Sequence, residues 1–188
     1  MAPNVFFRSR PTRLEAGEAT RRIEAVLGAT LPSTRFAVRL DEVTPVVGWL
    51  DGPSSGRVAD VIASIVNWEV RSRGLPAARP GDPAVVLDRS FSPAALAVAV
   101  IRHQASHVRP YASDDAGAVA GLSALLEVDD PGVSGYPVVD AMAALLLAAP
   151  DPEGLPAADD ATPAERMAAK LTALGYDALW AVAWKDVT

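Results

Sequence analysis

The sequence predicts an α+β fold: a helix–β-hairpin–helix core, a mostly helical second half, and a strand near the end that closes the sheet. Three observations lead there. Residues 34–40 alternate Phe36, Val38 and Leu40 with Arg35, Ala37 and Arg39, the period of a half-buried strand. Directly after a second apolar run at 46–50, Val58, Val61, Ile62, Ile65 and Val66 recur at helical spacing. Finally, residues 93–107, apolar until Arg102, and the strongly apolar run at 138–148 read as buried helices.

Taken in order, Thr12 and Glu15 have capping-box spacing, so a helix is expected from Thr12 to Leu27, with Gly28 as its stop. Arg13, Glu18, Arg21 and Arg22 then point mainly outward. The strand at 34–40, the turn at 41–45 and the strand at 46–50 make an antiparallel hairpin, with Pro45 at the start of its strand. The next helix is expected from about Ser55 to Arg71, ending near Gly74. A loop follows, then a short strand at Val85–Leu87. Ser92 and Pro93 supply an N-cap and an N1 proline for a helix that runs to His107. Residues 115–126 read as a helix weakened by Gly117 and Gly121. Thr162 and Glu165 form a second capping box, opening a helix that Gly175 ends. In 178–184, Leu179, Ala181 and Ala183 alternate with Trp180, Val182 and Trp184. A closing strand is favoured there over a helical extension. The organisation expected is one α+β domain over 1–149, a Pro-, Gly- and acid-rich linker at 150–162, and a helix plus strand at 163–188 packed on the core.

Composition sets bounds. Half of the 188 residues are hydrophobic, ample for a packed core, and no cysteine is present. Disulfides, thiolate metal sites and a cysteine nucleophile are therefore excluded, which fits a reducing cytoplasm. No signal-peptide run or membrane span is evident, so a cytoplasmic protein is expected. The net charge of −6 conceals a division. Residues 1–110 hold 14 Arg, no Lys and 10 Asp plus Glu, a balance of +4. Residues 111–188 hold 3 Lys plus Arg and 13 Asp plus Glu, a balance of −10. Such a division suggests an interaction surface in one half or the other.

Candidate sites are few. Gly52-Pro53-Ser54-Ser55-Gly56 spells G-x-S-x-G, the written form of a nucleophile elbow. Ser54 with His103 and Asp51 is thus the catalytic candidate. Against it, only a hairpin precedes the serine, and Pro53 fixes φ just before it. A turn that caps a helix needs no such coincidence. His103 and His107 stand four apart, the spacing of H-E-x-x-H, but Gln104 occupies the place of the general base, so they are only a weak metal pair. No cofactor is expected. For nucleic acid the candidates are Arg13, Arg21, Arg22, Arg35 and Arg39, with Arg8 and Arg10 before them. Arg35 and Arg39 share the strand face opposite Phe36 and Val38, where a patch for phosphates would form. The alternative is a solvated face paired with Glu15, Glu18 and Glu24.

The residues from Arg22 to Ile62, and more loosely to His107, resemble the large polyvalent protein-associated domain of type 29. The likeness lies in Phe36-Ala37-Val38-Arg39, in Val47-Gly48-Trp49-Leu50-Asp51-Gly52-Pro53-Ser54, and in Arg89-Ser90-Phe91-Ser92 before the next helix. Ala37 departs from the usual serine. The resemblance implies an accessory protein of phages or conjugative elements, and it carries no catalytic residues. The expectation is then a non-enzymatic binding module that contacts nucleic acid or a partner protein through its arginine-bearing face. Two alternatives stand beside it. One is an acidic inhibitor or immunity-type protein covering a basic surface, marked by arginines neutralised in local pairs. The other is a small serine hydrolase using Ser54.

Overall fold

The computed structural model describes residues 13–76, 82–106 and 116–188. Its elements are α1 (Arg13–Thr30), β1 (Ala37–Asp41), β2 (Thr44–Leu50), α2 (Ser55–Ala63), β3 (Glu69–Ser72), β4 (Ala84–Ser90), α3 (Pro93–Ser106), α4 (Ala116–Leu126), α5 (Pro137–Ala148), α6 (Pro163–Leu174) and α7 (Tyr176–Val187). The class is α+β. The chain forms two compact units: unit 1 holds 1–50 and 55–90, and unit 2 holds 51–54 and 91–188.

Unit 1 is a four-stranded mixed sheet in the order β1-β2-β4-β3. β1 and β2 form the antiparallel hairpin that the alternation predicts, with Val38 opposite Val47. β4 lies parallel to both β2 and β3. One sheet face presents Val47, Trp49, Val85 and Leu87 to Ile23 and Leu27 of α1 and to Val58 and Ile62 of α2. On α1 the buried set is Ala16, Ala19, Ile23 and Leu27, at spacings of three and four that bring them to one stripe. Phe36 closes over this core, its ring 5.9 Å from that of Trp49.

Two expectations need correction here. α1 runs past Gly28 to Thr30. α2 ends at Ala63, well before Arg71, and residues 69–72 are the strand β3. Ile65 and Val66 both donate backbone N–H to the Ile62 carbonyl, a tightened last turn that ends the helix. Beyond it Val66, Trp68 and Val70 pack on the core at every second residue, so the period changes from 3.6 to 2 within one apolar stretch.

Unit 2 is built around α3. Residues Ala95 to Ile101 are all buried, and α4, α5 and α6 each pack on that helix. A helix apolar on all sides is a core helix. Ala95, Ala97 and Ala99 keep its girth small. Leu122 and Leu126 of α4, Met142 and Leu146 of α5, Leu171 of α6 and Ala183 of α7 complete the cluster. Residues 150–162, within unit 2, form no helix or strand. The expected closing strand at 178–184 is instead the middle of helix α7. Gly175, at φ 82°, breaks the chain between α6 and α7. Alanine favours helix, and the residues that matter, Tyr176, Trp180 and Trp184, fall four apart. Reading every second residue of 178–184 mistook a helical repeat for a strand.

Gly121 has a purpose that helix propensity does not show. A Cβ on it would lie 3.1 Å from Cε1 and 3.2 Å from Nδ1 of His103. His103 is only 3 % exposed, so the ring has little room to move. Propensity alone favours Ala over Gly by about 1 kcal/mol. Overpacking costs roughly 1–3 kcal/mol. Gly121→Ala is therefore expected to lower stability in urea unfolding; a gain would show that the ring yields.

The predicted box at α6 forms. Glu165 N–H donates to Thr162 Oγ1 at 3.3 Å, and Thr162 N–H donates to Glu165 Oε2 at 2.7 Å. The Thr162 backbone and hydroxyl bonds hold the Glu165 carboxyl below its usual range. A depressed carboxylate stabilises the fold above its unfolded pKa, and that contribution is lost as pH falls through the folded value. Glu165→Gln is expected to lower stability at neutral pH, where the carboxylate contributes, and to change little at acid pH, which flattens the acid limb of the stability profile.

Candidate functional site

The Asp51–Ser54 corner is a backbone device. Asp51 (φ 49°) and Gly52 (φ 56°) are both left-handed, a conformation that aspartate and glycine tolerate better than other residues. The bend turns Asp51 so that its Oδ1 accepts the Ser92 N–H at 2.8 Å. Ser92 caps α3, its Oγ accepting the Ala95 N–H at 3.2 Å. The Gly52 carbonyl accepts the Asp130 N–H at 2.8 Å, and the Ser54 N–H donates to Asp129 Oδ1 at 2.7 Å. These bonds explain why four residues between β2 and α2 belong to unit 2. They also give the D-G-P-S sequence an architectural reason.

His103 packs inside the α3–α4 contact against Gly121, and His107 lies outside the described residues. Among the described residues no group of three His, Cys, Asp or Glu is placed to hold a metal ion.

The candidate arginines lie on different elements. Arg8 and Arg10 lie outside the described residues, and Arg13 is the first residue of α1. Arg21 and Arg22, on the outer side of α1, both bind Glu18, at 3.1 and 2.8 Å. Arg22 and then Arg21 hold the Glu18 carboxyl below its usual range. Arg35 precedes β1 and is exposed. Arg39 is on the sheet face opposite the one that α1 covers, 3.6 Å from Asp88 Oδ2. Arg73, absent from the sequence-based set, binds the same oxygen at 2.5 Å. The sheet layer thus separates Arg39 from Arg21 and Arg22.

Charge follows the units closely. Unit 1 holds 12 Arg and 9 Asp plus Glu, a balance of +3; unit 2 holds 5 Lys plus Arg and 14 Asp plus Glu, a balance of −9. Several acids of unit 2 have structural work. Besides Asp51, Asp129 and Glu165, Asp140 Oδ1 accepts the Ser134 N–H at 2.8 Å. Asp151 binds Lys170 Nζ at 3.0 Å and lies 3.7 Å from Arg166. Lys170 also donates to the Ala149 carbonyl at the end of α5, at 2.5 Å, so it ties the 150–162 stretch to α5 and α6. A cavity of about 330 Å³ opens beside this triad, lined by Leu96, Leu155 and Met167. By contrast Glu153, Asp159, Asp160, Asp177 and Asp186 are exposed, with no ion-pair partner among the described residues.

A feature invisible to a strand reading is an aromatic row on α7. The rings of Tyr176 and Trp180 stack at 6.2 Å and those of Trp180 and Trp184 at 5.9 Å. The i, i+4, i+8 spacing in the sequence is the signal that would have found it.

Losing the Asp51 carboxylate removes a hydrogen bond from a half-buried cap and leaves a residue without a local acceptor in the left-handed region. Asp51→Ala is expected to cost roughly 2–4 kcal/mol in urea unfolding. Asp51→Asn, which keeps an acceptor and tolerates the backbone, should cost about 1 kcal/mol or less. Equal losses would show that the acceptor is not what matters. No protein-family model, no curated protein and no solved structure matches the chain.

Proposed function

We propose that this is a non-enzymatic binding protein whose acidic unit 2 covers a basic surface of a partner protein, in the manner of an inhibitor or immunity protein. The observation that carries this reading is the division of charge, −9 on unit 2 against +3 on unit 1. The five acids without ion-pair partners supply a surface able to steer a basic partner and to reject a polyanion. The arginines support the same reading. Exposed pairs such as Arg21–Glu18 are screened by water and weak, so pairing alone does not withhold them from phosphate. Their placement does: with Arg39 on one side of the sheet layer and Arg21 and Arg22 on the other, they cannot follow one phosphate track. The likeness of residues 22–62 to an accessory domain of mobile elements is compatible with such a role.

Titration of a labelled arginine–lysine copolymer and of duplex DNA, at 50 to 200 mM salt, tests this. The expected result is copolymer binding that weakens with salt and weakens further in the triple variant Glu153→Gln, Asp159→Asn, Asp160→Asn, with no DNA binding at 150 mM. DNA binding with a steep salt slope would reverse the assignment.

A further inference from the structure

Tyr176, Trp180 and Trp184 form one continuous stacked row along α7. Trp180 is 37 % exposed and Trp184 51 %, and Val187 extends the stripe at 43 %. The other side of the helix does the packing, through Ala183, which is fully buried, and Leu179. Two adjacent indoles left open to water are costly to solubility unless something covers them. Tryptophan and tyrosine are also the residues most often found as binding hot spots.

Three kinds of ligand use such a row. Nucleobases and sugars stack on aromatic faces, and guanidinium groups lie over them. Charge decides among the three. Asp177, one turn from Trp180 and Ala181, stands beside the row with an exposed carboxylate that has no ion-pair partner among the described residues. The unit that carries the row has a balance of −9. A nucleic-acid strand brought there meets repulsion along its length. A neutral sugar gains nothing from the field. A guanidinium gains twice, from the π face and from the Asp177 carboxylate. Arginine is also more weakly hydrated than lysine and planar, so it stacks where an ammonium does not.

From this we infer that Tyr176, Trp180 and Trp184 are the anchor point for arginine side chains of a basic protein partner. The inference rests on the reading above that unit 2 covers a basic partner. Asp177 and the net negative charge of the unit draw the partner in, and the indoles select arginine over lysine. Burial and then Asp177 push the Tyr176 hydroxyl pKa up.

The test uses the full chain with nona-arginine and nona-lysine at the same salt. The expected result is tighter binding of the arginine peptide, about tenfold for contacts to two indoles. In Trp180→Ala/Trp184→Ala this preference should disappear, while lysine-peptide affinity and its salt slope stay unchanged. Trp180→Leu/Trp184→Leu keeps the apolar bulk and should lose the preference equally, with an unaltered circular-dichroism melt as the control for folding. Equal affinity for both peptides in the native chain would remove the row's role while leaving the acidic-surface reading standing. Binding of neither peptide would remove both. Retention of the preference in the Leu variant, binding of oligo-dT that the Ala variant abolishes, or self-association that it abolishes would each assign the row to another occupant.

Discussion

The fold turns on one side-chain-to-backbone bond, from the Asp51 carboxylate to the Ser92 N–H. A helix N-terminus leaves four amides without partners. The most buried helix of unit 2 has its cap held by a residue 41 positions earlier in the chain. Asp51 and Gly52 enter the left-handed region to reach it, a local cost that the hydrogen bonds to Ser92, Asp129 and Asp130 offset. Proline at 53 then limits the ways the corner can open. Each residue of D-G-P-S is thus accounted for by backbone geometry and satisfied donors.

Much of the architecture was legible in the sequence, and the parts that failed did so for definable reasons. The hairpin announced itself because Phe36 and Val38 face a core on one side only. The α6 box was legible because Thr162, Pro163 and Glu165 act within one turn. Local rules failed where two periods overlap. Val58, Val61, Ile62, Ile65 and Val66 fit a helix, yet Val66 also begins the alternation with Trp68 and Val70. In 178–184 small alanines fit either period, and the indoles should have decided it. Gly121 looked like a defect in α4 because nothing local reveals that the His103 ring occupies the space beside it.

The site was less legible than the fold. Counting charges found the division but set it at residue 110, twenty residues beyond the boundary of the units. Sequence reasoning joined Arg35 and Arg39, which share a strand face, to Arg21 and Arg22 on the preceding helix. It could not see that the sheet lies between Arg39 and the outer side of that helix, nor that Arg73 shares Asp88 with Arg39. Cross-strand partners come from register, and β3 was not expected at all.

The membership of residues 51–54 in unit 2 makes that unit discontinuous along the chain. No single cut yields both halves intact. A fragment ending at Ser90 would keep the corner but strand it without Ser92, Asp129 or Asp130. A fragment beginning at Phe91 would leave the cap of α3 lacking its carboxylate acceptor. During synthesis, the corner emerges long before the residues that hold it, so its strained backbone must wait for α3 and the α4–α5 connection to appear. Completion of unit 2 thus depends on four residues that lie inside the sequence of unit 1.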